Sequence, residues 1–377
     1  MLYFVNRQGR LLAVNKYKVW LTINKKAVKH NLNVFRKIIG SKTELWAVVK
    51  SNAYGHGLVL FSQLAESFGV DGFCVDSVIE GIKLRENGIT KSILVLGPTL
   101  PHWYPLACKL DITVTISNKE ALDDLIRCPI KKRPNFHLKI DTGMHRQGFY
   151  AEDLDGILKK IGNHLKGVYT HFASAKDINY PTFNERQFSK FQQAVFILER
   201  AGFNPPTGGL KKHIAATAGT LINPKYHLDL VRIGIGLYGL WPSKELEIQL
   251  NDKLNFKTVM SWHALISEVK DIKRGEYVGY DFTEKMGHNG RIAIVPIGYW
   301  HGLPRDLSSI GEVFIKNKSA RILGRVSMDL ITIDVTNINC RVGDKVEIIP
   351  VNIAQKLGAS HYEIITRINP LIKKIVQ

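Results

Sequence analysis

A chain of 377 residues, 45% of them hydrophobic, is long enough for two domains with substantial cores, and that hydrophobic share excludes a disordered chain. The four cysteines, Cys74, Cys108, Cys128 and Cys340, lack C-x-x-C spacing, which argues against a metal site or a disulfide framework and fits a reducing compartment. The formal charge of +19 raises the question of nucleic acid, but the Lys and Arg are spread along the chain. Only Lys131, Lys132 and Arg133 form a tight run, so a basic surface that draws anions toward a cleft is the better reading.

The opening M-L-Y-F-V-N-R-Q-G-R has too short an apolar run for a signal peptide, and no later run approaches a membrane span. A cytoplasmic location is expected, with no membrane partner. Residues 1–18 read as an N-terminal extension in which L-Y-F-V-N-R-Q-G-R-L-L-A-V forms a hairpin that joins a β domain. From 19 to 250, strands are predicted at 45–50, 71–76, 92–97, 112–116, 135–141, 166–172, 213–217 and 230–234. Helical patterns such as V-I-E-G-I-K-L-R-E-N-G intervene. Strands alternating with helices imply right-handed βαβ units, and eight of them fit an α/β chain closed as a (β/α)8 barrel. From 251 to 377 the pattern changes to short β-rich runs such as R-I-A-I-V-P-I-G-Y and D-K-V-E-I-I-P, a second, mostly β domain.

The first barrel strand, W-A-V-V-K, ends on Lys50. Such a lysine either snorkels to water or is buried, and burial lowers its pKa and readies the amine to attack a carbonyl as a Schiff-base lysine. The stretch alone leaves both readings open. Chemistry in a barrel of this kind lies at the carboxyl ends of the strands. Arg146, His171, Thr217 and Arg232 also fall there, so these five residues converge on one mouth.

Six stretches in register, A-V-V-K-S-N-A-Y-G-H-G, D-T-G-M-H-R-Q-G-F, T-H-F-A-S-A, V-R-I-G-I-G-L-Y-G, G-R-V-S-M-D and the early I-N-K-K-A-V-K-H-N-L, resemble bacterial alanine racemase, a pyridoxal 5'-phosphate enzyme. The resemblance runs from about residue 19 to the C-terminus. It implies a barrel with a C-terminal β domain, assembled as a homodimer with shared active sites, that interconverts L-alanine and D-alanine and supplies D-alanine for peptidoglycan. Lys50 then corresponds to the cofactor-holding lysine and one of two acid/base groups, and Tyr280, in Y-V-G-Y-D-F-T, to the opposing base from the partner subunit. Two bases are needed because a proton leaves one face of a planar intermediate and another arrives on the opposite face. Arg232 corresponds to the group facing the pyridine nitrogen. Tyr54, Thr217, Gly234 and Ile235 correspond to the phosphate site, and His171 to a residue against the ring. The resemblance assigns Arg146 to the phenolic oxygen and, with Tyr299 and Met328, to the substrate. Lys139 falls where the family often carries a carbamylated lysine, and no metal is implied.

The chain departs from the family pattern at several positions. Lys176 replaces an aspartate, His301 replaces an aspartate in G-Y-W-H-G, Pro370 replaces a tyrosine, and Ala216 stands where asparagine is frequent. These leave the catalytic pair intact and put substrate breadth in question, so a racemase of broader specificity, for serine or lysine, is the alternative. The cationic rim of Lys176, Arg305 and Arg325 argues for alanine first, serine weakly and basic amino acids poorly. A non-catalytic cofactor carrier would end near residue 240, and a decarboxylase would lack the D-T-G-M-H-R to S-M-D series. No nucleic-acid partner is expected.

Overall fold

The computed structural model describes residues 3–5, 11–13, 17–176, 181–203 and 209–377, and divides into two compact units. One is Lys25–Val259; the other is Met260–Gln377 together with the residues up to Asn24.

The first unit is the expected barrel. Its strands are Glu44–Val48, Gly72–Val75, Ser92–Val95, Ile112–Ile116, Phe136–Lys139, Leu165–Tyr169, Lys211–His213 and Leu230–Ile233. Each pairs in parallel with its neighbour in sequence from the first to the seventh, and the eighth pairs in parallel with the first. Between the seventh and eighth, an isolated bridge joins Ala216 to Arg232, where the Arg232 N–H donates to the Ala215 carbonyl at 3.0 Å. The apolar runs that marked these strands are buried on both faces, as Leu45, Ala47, Phe73, Val75, Leu94 and Val114 illustrate at 0% exposure. All eight predicted strands are present, each ending within a few residues of its expected limit.

The second unit is built on a nine-stranded sheet. Met260–Leu265 lies in it between Lys345–Ile348 and Val19–Ile23, both antiparallel to it, and Lys373–Val376 adds in parallel to Val19–Ile23. The barrel, expected to begin at 19, therefore begins at Lys25. Residues 19–23 belong to the β unit, because their backbone partners are Met260–Ala264 and Lys373–Val376. Tyr3–Val5 and Leu11–Ala13 pair antiparallel as a two-stranded sheet of their own, separate from the nine-stranded sheet; the rest of residues 1–16 lie outside the described residues.

Candidate active site

At the barrel mouth the first strand stops at Val48, and the Val49 N–H still donates to the Cys74 carbonyl at 2.9 Å before Lys50 leaves the sheet. The next four residues, Ser51, Asn52, Ala53 and Tyr54, all adopt φ between 50° and 56°, a left-handed turn without glycine. L residues pay roughly 1–2 kcal/mol each in that conformation, so neighbours must hold it. The Ser51 N–H donates to the Glu80 carboxylate at 2.8 Å, Asn52 Oδ1 accepts from the Leu58 N–H at 2.9 Å, and Ala53 and Tyr54 are buried. The turn sets Lys50 at the rim: its side chain is 38% exposed, with Nζ 3.4 Å from Asp76 Oδ1. Of the two readings the stretch left open, the amine at the rim is the one observed.

Arg232 is buried to 2% and carries a guanidinium with no carboxylate within 4.0 Å among the described residues. Nη2 donates to the carbonyls of Thr170 at 2.8 Å and Ile214 at 3.1 Å and approaches His171 Nδ1 at 3.4 Å. Nη1 donates to His213 Nδ1. The face of Tyr169 lies 5.1 Å from the guanidinium carbon. Because guanidinium only donates, His213 Nδ1 must accept, which puts its proton on Nε2 and directs it to His137 Nδ1 at 2.8 Å. Tyr169 stacks on His213 at 4.7 Å, and its hydroxyl shares a 2.9 Å hydrogen bond with Thr115. Burial, then Lys211 and Arg232, push His137 down to about 3. Burial, then the Arg232 charge, hold His171 and His213 well below the usual histidine range, so all three imidazoles are neutral. Burial lowers Arg232 as well.

Lys139 is the buried lysine of this mouth, 6% exposed, with Nζ 4.3 Å from the centroid of the Tyr169 ring. Burial first, then the charges of Arg232 and Arg146, hold its amine well below the ordinary lysine range. Arg146 is exposed on the following loop. Asp141 Oδ1 shapes that loop by accepting the N–H groups of Gly143, Met144 and His145 at 2.9–3.1 Å.

A second feature of the barrel mouth is a cradle of N–H groups. Thr217 opens the helix Thr217–Ile222, rather than closing the seventh strand, and its hydroxyl accepts from Gly234 N–H at 3.2 Å and Gly236 N–H at 3.4 Å. Ile235 begins the 3-10 turn that follows. A Cβ on Gly234 would lie 2.8 Å from the Tyr54 hydroxyl, so a larger residue there would push the Tyr54 side chain aside. Two short helical N-termini, two hydroxyls and a glycine approach make a site suited to a phosphate.

In the β unit, a cavity of about 850 Å³ is lined by Tyr280, Tyr299 and Met328, with Arg305, Arg325 and Arg367. Tyr280 is 68% exposed on a turn that begins at Gly279 (φ 78°), and the adjacent Asp281 pairs with Arg325 at 2.7 Å. The strand-following loop at Gly298 is pinned to the next one: the Tyr299 and Trp300 N–H groups donate to the Ser327 and Met328 carbonyls, both at 3.0 Å. His301 Nδ1 accepts the Gly298 N–H at 3.1 Å, and a Cβ on Gly298 would lie 2.2 Å from the Ser327 carbonyl oxygen.

The structure therefore gathers Lys50, Tyr54, Lys139, Arg146, His171, Thr217, Arg232, Gly234 and Ile235 at the barrel mouth. Tyr280, Tyr299 and Met328 gather in the cavity of the β unit. Sequence reasoning missed Asp76, Tyr169, His137 and His213. Their signal is the recurrence of a polar or aromatic residue within the last few positions of a barrel strand, as in F-H-L-K and K-K-H.

Family models described as "Alanine racemase, N-terminal domain" and "Alanine racemase, C-terminal domain" match residues 23–242 and 259–376. The chain is similar to the alanine racemase of Leptospira interrogans, 35% identical over 377 residues and 96% of each chain. It is also similar to that of Methanococcus maripaludis, 35% identical over 376 residues, 95% of this chain and 98% of that one. Among solved structures, the alanine racemase of Bacillus anthracis with bound L-Ala-P superposes with a TM-score of 0.89 at 32% identity, covering 97% of this chain and 96% of that one. The alanine racemase of Clostridium difficile 630 gives 0.89 at 29% identity over 96% of each chain. With both units matched in order and nearly end to end, the chain belongs to the alanine racemase family.

Proposed function

We propose that this protein is a pyridoxal-phosphate-dependent racemase that interconverts L-alanine and D-alanine, with Lys50 and the partner subunit's Tyr280 as its two acid/base groups. The observation that carries this reading is Arg232, a buried guanidinium served by two carbonyls and neutral imidazoles and, among the described residues, with no carboxylate within 4.0 Å, in the same mouth as Lys50. When bound, the cofactor supplies an electron sink for the charge that forms at the substrate α-carbon. Lys50 holds it by its amine. Tyr54 and Thr217 would offer hydroxyls to its phosphate and Ile235 its N–H, while the Gly234 N–H would exchange its bond to Thr217 for one to the phosphate. His171 would lie against its ring. Arg232 would donate a hydrogen bond to the ring nitrogen without surrendering a proton, since guanidinium stays charged at any accessible pH. That limits delocalisation into the ring and favours return of a proton to the α-carbon over side reactions.

Arg146 binds the phenolic oxygen and the substrate carboxylate, helped by Tyr299 and Met328. Lys50 exchanges the proton on one face of the α-carbon and Tyr280 on the other. Tyr280 stands in the β unit, and a head-to-tail homodimer would let one subunit lend it to the other's barrel. Burial, which lowers the Lys139 pKa, raises the share of unprotonated amine that can add CO₂ and lose a proton, and the resulting carbamate would offer an anion to the nearby charge of Arg146. The protein acts on a small amino acid in the cytoplasm and supplies D-alanine for peptidoglycan. Among the described residues no helix is long and apolar enough to cross a membrane. Exposed Pro370, where a tyrosine is common, favours a second reading in which serine is also accepted.

The test is spectroscopic. The purified protein should carry a visible chromophore that borohydride fixes onto Lys50, and should racemise L-alanine. A colourless protein that gains neither on addition of cofactor would refute the proposal.

A further inference from the structure

We propose that Glu80 is a positioning residue for Lys50, a carboxylate that sets both the turn carrying the amine and the acid paired with it. The inference deepens the racemase reading, on which it rests for the role of Lys50, by adding a residue that acts through Lys50 rather than on substrate.

The stretch S-V-I-E at 77–80 has the form of a capping box, in which the Ser hydroxyl accepts the N–H three residues on and the Glu carboxylate returns to the Ser N–H. The helix Val78–Glu86 makes the first half, since Ser77 Oγ accepts the Glu80 N–H at 3.3 Å. The second half is diverted. Glu80 Oε2 accepts the N–H of Asp76, one residue before the cap, and Oε1 reaches across to the Ser51 N–H, both at 2.8 Å.

Those two N–H groups flank the amine. Ser51 follows Lys50 directly and opens the run of four positive φ values, and Asp76 is the residue whose carboxylate lies 3.4 Å from Lys50 Nζ. One half-buried carboxylate therefore holds the backbone on both sides of the Lys50–Asp76 pair and joins the loops that follow the first and second barrel strands. No glycine in S-N-A-Y eases the left-handed turn, so its geometry depends on such contacts. The far end of the turn has its own, Asn52 Oδ1 with the Leu58 N–H; the end beside the amine has Glu80. An ionised acceptor suits the task, because hydrogen bonds to a carboxylate are stronger than those between neutral groups.

Glu80→Gln keeps the shape and replaces one acceptor oxygen by an NH2 donor, so one of the two N–H groups loses its partner. Ser77→Ala is the control, since it removes the cap of the same helix and leaves the Glu80 carboxylate in place. Each full-length protein is stripped of cofactor with hydroxylamine, and pyridoxal phosphate is titrated back while the visible band that borohydride fixes onto Lys50 is followed. Glu80→Gln should weaken this covalent binding by about tenfold or more and lower kcat for alanine in both directions by a similar factor, with KM changed by less than about threefold. Glu80→Asp, which keeps the charge on a shorter stem, should fall between Glu80→Gln and the wild type. Ser77→Ala should lower Tm while leaving cofactor affinity and kcat within about twofold. Wild-type affinity and kcat in Glu80→Gln would overturn the proposal, as would equal effects of Glu80→Gln and Ser77→Ala, which would make Glu80 a support of its helix alone. Failure of the racemase reading shows separately, as absent alanine turnover in the wild type, where the covalent titration still reports on Glu80.

Discussion

Replacing Arg232 with methionine keeps the length of the side chain and removes every donor. The carbonyls of Thr170 and Ile214 lose N–H partners at 2.8 and 3.1 Å, and His213 Nδ1 loses the donor that fixes its tautomer. Hydrogen bonds from a charged donor contribute about 1.5–3 kcal/mol each, and acceptors left buried and unpaired keep their desolvation penalty. Against this stands relief from burying a guanidinium at 2% exposure, worth several kcal/mol in the opposite direction. Three losses of this size outweigh one gain by roughly 2–5 kcal/mol. At about 2–4 °C per kcal/mol for a unit of this size, Tm should fall by roughly 5–15 °C. Thermal unfolding followed by circular dichroism checks it, with Arg232→Lys as an intermediate case that keeps charge and loses the fork. A methionine variant melting within about 2 °C of the wild type would show that the guanidinium is not what holds the mouth together.

Three further outcomes follow from the same geometry. Lys50→Ala removes only a partly exposed pair at 3.4 Å, so stability should change by about 1 kcal/mol or less while racemisation in both directions and the covalent chromophore vanish; a large loss of Tm would mean that Lys50 is structural. His137, His171 and His213 have depressed pKa values in the fold, so below about 6.5 the unfolded chain takes up protons that the folded chain does not. Stability should therefore be full above that pH and fall as pH drops from about 6.5 toward the folded values, by up to about 1.4 kcal/mol per pH unit for each histidine, and denaturant midpoints equal at pH 7 and pH 5 would contradict this. Gly298→Ala forces a Cβ to within 2.2 Å of the Ser327 carbonyl oxygen, a backbone atom that cannot rotate away. KM for alanine should rise by about tenfold or more through displacement of Tyr299 and Met328, and an unchanged KM would sever those residues from substrate binding.

Much of this was legible because the barrel's signals are local. Runs such as L-W-A-V and T-V-T-I are short, apolar and bounded by helical patterns, and residues that follow them fall at the mouth by topology alone. Val19–Ile23 carries the same kind of signal, and only its pairing with residues far along the chain, Met260–Ala264 and Lys373–Val376, assigns it to the other unit. Whether Lys50 is buried or exposed was left open for a different reason. Apolar residues up to Val49 suggest continued burial, but four successive positive φ values, held by Glu80 and Asn52, swing the chain outward, and no residue in S-N-A-Y requires that conformation. His213 and His137 escaped notice because their importance lies in register. Each strand contributes one imidazole, and only the parallel pairing of neighbouring strands aligns them with Arg232.

The central claim is that one active site draws Lys50 and Tyr280 from two subunits, and a mixing experiment tests it most directly. Lys50→Ala and Tyr280→Phe proteins, each inactive alone, are combined and allowed to exchange subunits, with exchange followed independently by a mass-tagged copy. Random pairing makes half of the dimers hybrid, each with one site that receives both native groups, so about a quarter of wild-type activity should return. No recovery after demonstrated exchange would contradict a shared site.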